Sequence, residues 1–144
     1  MRRHSISSVL ELSKQQATGM NAFLAVFFGA GIGGALRHAV NLAALKLLGS
    51  GFPFSTVAVN VIGSFIMGLA IEWFALKADP GQMWRLFLTT GILGGFTTFS
   101  AFSLDAALLI ERGAYLMASV YILTSLIASV GGLFLGLLLI RQLV

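Results

Sequence analysis

GILGGFTTFSAF, residues 91–102, sits in the middle of an apolar run long enough to cross a membrane. Three glycines followed by two β-branched threonines are poor helix formers, so the stretch predicts a break in the helix. A break at membrane depth exposes backbone groups that must find partners, and it is tolerated only beside a cavity or inside protein. Freed carbonyls can hold a cation, while the half-helix beyond the break presents N–H groups to an anion. Phe99 and Phe102 lie three residues apart and share a face. Ring edges are positive and can meet an anion where water is excluded. From spacing alone, such a pair reads more simply as core or lipid contact.

Outward from that stretch the chain is apolar almost throughout. It is 58% hydrophobic and only 10% charged, with a mean hydropathy of +0.95. Soluble domains carry about 25% charged residues, so a soluble enzyme is excluded first. There is no cysteine, so thiolate chemistry and disulfides are absent. Two histidines and five scattered acidic residues assemble neither a zinc cluster nor a two-carboxylate site. The basic residues are dispersed singly, which is not a nucleic-acid footprint.

A membrane helix needs roughly 20 mostly apolar residues. Four segments qualify, at about 22–48, 53–76, 83–110 and 114–144, joined by the short connectors GSGF, KADPGQ and ERG. The fold class is therefore an all-α membrane protein of four transmembrane helices, the third broken mid-membrane. Arg37-His38 is a place where the first span bends or ends. Residues 1–20 have no apolar run after their basic start and do not form a secretory signal. They are expected to be a disordered N-terminal extension, with Met20 a candidate start, and 21–144 the transmembrane domain.

The charges give little direction. With four spans, Lys77, Arg85 and Arg141 fall on one side and Arg37, Lys46 and Arg112 on the other. That tie leaves the positive-inside rule nothing to choose with. Arg2, Arg3 and Lys14 break the tie only if the lead is counted. A chain of this kind is expected to insert both ways, and opposite copies can pair about a two-fold axis in the membrane plane.

Polar groups inside a bilayer are costly and are candidates for function. Thr56, Asn60 and Ser64 share one face of the second span; Tyr121, Ser125 and Ser129 share one face of the fourth. The plainer reading is that they glue helices together. Gly29, Gly31, Gly33, Gly34, Gly63, Gly68, Gly131, Gly132 and Gly136 read as close-packing positions. Arg37 either snorkels to the interface or fixes a positive charge at the mouth of an anion path. Glu72, Asp79, Asp105 and Glu111 read as charges near span ends, with Asp105 about two turns beyond the break.

The GxGGxxR of Gly31 to Arg37, the T-x-x-x-N-x-x-G-S of Thr56 to Ser64, and GGFTTFSAF together resemble the Fluc/CrcB family of bacterial fluoride channels. The resemblance covers about residues 20–144; Ala101 departs from it, standing where that family usually has Ser or Thr. It implies an antiparallel, dual-topology homodimer with two pores in the bacterial inner membrane, passing fluoride passively out of the cytoplasm. By position it implies Phe99 and Phe102 as the aromatic pair of the fluoride path, with Asn60 facing them. Tyr121, Ser125 and Ser129 then form a polar track, Thr56 and Ser64 join the pore, and Arg37 lies near the aqueous vestibule. Gly94 and Thr97 would hold a central structural sodium ion through backbone carbonyls. The rival readings are a small dual-topology multidrug or cation exporter, which needs a membrane-embedded carboxylate, and a structural subunit.

Overall fold

The computed structural model describes residues 6–76 and 80–143. Arg2, Arg3, Lys77, Asp79 and Val144, used in the sequence reading above, lie outside the described residues. The described chain is helical between short turns. Helix α1 is Ile6–Leu48 and α2 is Phe54–Leu76. A third span follows as α3 (Gln82–Arg85), a π-helical segment (Leu86–Leu93), the single turn α4 (Gly94–Phe96) and α5 (Phe99–Glu111). The last helix, α6, is Tyr115–Leu143. Four stretches are long and apolar enough to cross a membrane: Gly19–Leu48, Phe54–Leu76, Gln82–Glu111 and Tyr115–Leu143.

Two features of α1 differ from the sequence expectation. It does not end at Arg37-His38 but continues to Leu48, where Gly49 (φ 77°) closes it. A positive φ suits glycine and lets the Gly49 amide donate back to the Leu45 carbonyl at 3.1 Å. The helix is also drawn from Ile6, inside the lead expected to be disordered. The physical reason is propagation: once a span has nucleated a helix, each added residue costs little, and that lead is rich in good helix formers.

Packing follows the glycines. α2 lies mainly against α6, and α1 mainly against the π segment and α4. A Cβ on Gly68 would meet the Leu133 carbonyl, and one on Gly136 would meet the Phe65 carbonyl, so α2 and α6 touch backbone to backbone. On the other seam, a Cβ on Gly91 would sit 2.9 Å from the Gly29 Cα, and one on Gly33 would meet the Ile92 carbonyl. Small residues at such crossings are the usual means of close helix approach in membranes. Gly31, Gly34 and Gly131 face open space and take no part.

The π segment had no counterpart in the sequence reading. Its last turn shows the wider register, with the Gly94 amide donating to the Thr89 carbonyl. One local cause is the Thr89 hydroxyl, which donates to the Arg85 carbonyl at 2.7 Å and competes with the ordinary ladder. Outside these seams the helices are bare, with Phe23, Phe27, Leu116 and Ile127 among many large apolar side chains left exposed.

Candidate functional site

The third span is interrupted at Thr97-Thr98, both in extended conformation (ψ 160° and 120°) between α4 and α5. By residue count this lies halfway along Gln82–Glu111. Every backbone group the interruption releases must be satisfied locally. The Thr98 amide donates to Asn60 Oδ1 at 2.7 Å, and Asn60 Nδ2 donates to the Thr98 carbonyl at 3.0 Å. The Thr98 hydroxyl caps α5, accepting from the Ala101 amide at 3.2 Å. Thr97 stays tied to the preceding turn, its amide and hydroxyl donating to the Leu93 carbonyl at 3.0 and 2.9 Å.

These substitutions leave two carbonyls short of their ladder donors. In an unbroken helix the Thr98 amide would serve the Gly94 carbonyl and the Ala101 amide would serve the Thr97 carbonyl. Both amides are taken by side chains instead. Gly94 and Thr97 are the pair that the resemblance assigns to sodium. The Thr97 carbonyl accepts from Arg37 Nη1 at 3.4 Å, so the structure sets this arginine, half-buried, beside the break.

Beside the break runs a groove of about 270 Å³ between α2, α5 and α6. It gathers six of the eight residues expected along a pore: Asn60, Ser64, Phe99, Phe102, Ser125 and Ser129. The Phe99 and Phe102 rings are tilted, with centroids 5.4 Å apart. Phe102 is half-buried, whereas Phe99 is 78% exposed, so the groove lacks a wall on that side. Ser125 is buried. The Ser129 hydroxyl is buried without any hydrogen-bond partner. Such a group costs about 1–3 kcal/mol.

Thr56 and Tyr121 stand apart from the groove. Thr56 Oγ1 donates to Asp105 Oδ2 at 2.7 Å, and the Tyr121 hydroxyl donates to the same oxygen at 3.3 Å. Tyr121 is fully buried, and its ring adjoins Phe102 at 5.3 Å and Phe52, from the α1–α2 turn, at 5.7 Å. Asp105 is thus the shared acceptor of a buried cluster, a role that the sequence reading missed. Its signal was present: a carboxylate inside a span must find donors, and neutral hydroxyls were available in the two polar stripes. Glu72 was also read as a solvated end charge. It is buried, and Arg141 of α6 grips it with Nε and Nη2 at 2.7 and 3.2 Å.

Comparison with known proteins sets this geometry in a family. The profile of CrcB-like protein, Camphor Resistance (CrcB), matches residues 24–137. The chain belongs to the CrcB-like family. The match takes in α2, the whole broken span and α6 as far as Leu137. Relatives within the family are similar over nearly their whole length. The fluoride-specific ion channel FluC of Granulibacter bethesdensis is 57% identical over 125 residues, 87% of this chain and 98% of its own. That of Methylobacterium nodulans is 59% identical over 119 residues, 83% of this chain and 95% of its own. A third, from Rhodopseudomonas palustris, is 54% identical over 119 residues, 83% of this chain and 96% of its own. With its four apolar spans, this member of the CrcB-like family is a multi-pass membrane protein.

Proposed function

We propose that the chain is a passive, fluoride-selective channel of the bacterial inner membrane, exporting fluoride from the cytoplasm and so relieving its toxicity. The observation that carries this is the groove, where Phe99, Phe102 and the hydroxyls of Ser125 and Ser129 converge in a relative of fluoride-specific channels. Fluoride is small and strongly hydrated, so a dry path must replace its water with other donors. Hydroxyls and positive ring edges do so without holding the ion too tightly to leave. Ser129 is the donor most available, since its hydroxyl has no other partner. Thr56 and Tyr121 contribute only so far as an anion draws their hydroxyls from Asp105, whereas Asn60 has a second Nδ2–H beyond the one held by the Thr98 carbonyl. Arg37, expected near the vestibule, instead adds a fixed positive charge beside the break, at the Thr97 carbonyl.

The open wall at Phe99 supports an antiparallel homodimer, in which a second copy closes the groove. Two-fold symmetry then makes the off-axis path occur twice. The near tie in basic residues supports insertion in both orientations. On this reading the break lies mid-membrane, 1–20 is an extension and 21–144 is the channel domain. Sodium is a fitting central ion, because the Gly94 and Thr97 carbonyls are hard oxygen donors released from the helix ladder, the Thr97 oxygen keeping a second lone pair beside its Arg37 contact. One chain offers two such oxygens, and a symmetric partner would double them. A cation there lowers the barrier to an anion in a low-dielectric interior. The exporter alternative needs a carboxylate free to exchange protons for substrate, whereas Asp105 is engaged by two hydroxyls.

The test is ion efflux from liposomes holding the purified protein, read with fluoride- and chloride-selective electrodes. Fast fluoride loss with little chloride loss, abolished in Phe99→Ala or Phe102→Ala, is the expected result. A folded, inserted protein that releases no fluoride would overturn the reading.

A further inference from the structure

We propose that Asn60 is a positioning residue that keeps the third span broken, holding both backbone groups of Thr98 so that the helix ladder cannot close across Thr97-Thr98. The two contacts are short and complementary: Thr98 N–H to Asn60 Oδ1 at 2.7 Å, and Asn60 Nδ2 to the Thr98 carbonyl at 3.0 Å. Together they fix the amide plane and decide which end of the side chain carries the nitrogen. An amide supplies one donor group and one acceptor, which is what one residue lifted out of a helix leaves unpaired. A hydroxyl at this place would be too short to reach both, and a carboxylate would set an oxygen against the Thr98 carbonyl.

The alternative for Thr98 is close at hand. Its amide follows the Gly94 carbonyl by four residues, the spacing of an ordinary helical bond. Asn60 outcompetes that bond and so releases the Gly94 carbonyl. The rest of α2 presses on the same place: one turn along, a Cβ on Gly63 would collide with the Thr97 methyl and come within 3.2 Å of the Phe96 ring. Phe99, the first residue of α5, takes its aim from the backbone that Asn60 holds. Asn60 thereby joins the groove on one side of the break to the released carbonyl on the other. Its consequence for conduction rests on the channel reading; the clamp itself does not.

The experiment uses the absence of native cysteine. Thr90→Cys and Ala107→Cys place one spin label on each side of the break. Full-length protein is reconstituted in liposomes, diluted with unlabelled chains so that only within-chain distances are read. The distance is compared for Asn60 intact, Asn60→Ala, Asn60→Ser and Asn60→Asp. In the Ala and Ser variants the ladder closes and the distance moves towards about 26 Å between Cα atoms, the length of 17 residues of continuous helix. In Asn60→Asp one oxygen still accepts from the Thr98 N–H, which alone denies that amide to the Gly94 carbonyl, so the wild-type distance is kept despite the oxygen that faces the Thr98 carbonyl. Fluoride efflux falls at least tenfold in the Ala and Ser variants.

If either the Ala or the Ser variant folds and keeps the wild-type distance, the proposal is overturned, whatever happens to efflux. Lost efflux at an unchanged distance would make Asn60 a direct ion donor and nothing more, with the channel reading intact. If wild-type protein conducts no fluoride, the channel reading fails while the distances still judge the clamp.

Discussion

Ser129 and Asn60 show how differently two polar side chains in one groove can be employed. Asn60 spends one N–H and its oxygen on Thr98, whereas the Ser129 hydroxyl is buried with no partner at all. Folding alone gains nothing from an orphaned hydroxyl, and removing it relieves the cost of burying it. Ser129→Ala is therefore expected to unfold at a higher temperature, by roughly 1 kcal/mol of added stability. The same variant is expected to lose fluoride efflux several-fold, because the donor is taken from the path. Thermal melts and efflux assays on one preparation check both signs; a variant that is less stable would show that Ser129 has a structural partner. The stripes containing these residues were legible from spacing, but their partners were not. Thr56, Asn60 and Ser64 lie on one face and yet serve Asp105, Thr98 and the groove respectively. Asp105 is 49 residues from Thr56 and 16 from Tyr121, separations that no local pattern reports.

Among the elements, the helices meet where glycine removes the side chain. Gly33→Ala would drive a methyl into the Ile92 carbonyl and within 2.8 Å of the Phe96 amide, while Gly31→Ala would meet nothing within 4 Å. The first is expected to cost about 1–3 kcal/mol or more, as overpacking of a tight interface does, and the second to be near neutral. Yields of folded protein after detergent extraction compare them directly. The pair between Glu72 and Arg141 fastens α2 to α6 near their ends. Glu72→Gln is expected to lower the melting temperature, and so is Arg141→Gln. The double variant should cost less than the two single losses added, because neither leaves a charge behind. The spans and the break were readable because hydropathy and glycine-threonine content are local properties. The π segment was not, since a shift of hydrogen-bond register in Leu86–Leu93 leaves no mark in hydropathy or glycine content.

For the whole molecule, charge is the property that sets orientation. The structure engages three of the basic residues: Arg37 at the Thr97 carbonyl, Arg141 at Glu72 and Arg85 at the Phe74 carbonyl. The sequence count of Lys77, Arg85 and Arg141 against Arg37, Lys46 and Arg112 is three against three. Reporter-tagged C-termini are expected on both faces of the membrane. Three lysines added to one loop should bias them to one face and cut efflux, since opposite copies become scarce. A single orientation in the unmodified protein would contradict the antiparallel pairing. The two glycine seams bear on something else, the stiffness of the walls. Where backbone rests on backbone, there is no flexible side chain to yield, and a close-packed interior compresses little. A proposed ion path whose α2 and α6 walls meet at such a seam therefore behaves as a rigid gauge. A larger anion must strain the frame to enter, and a difference in ionic radius becomes a difference in elastic energy.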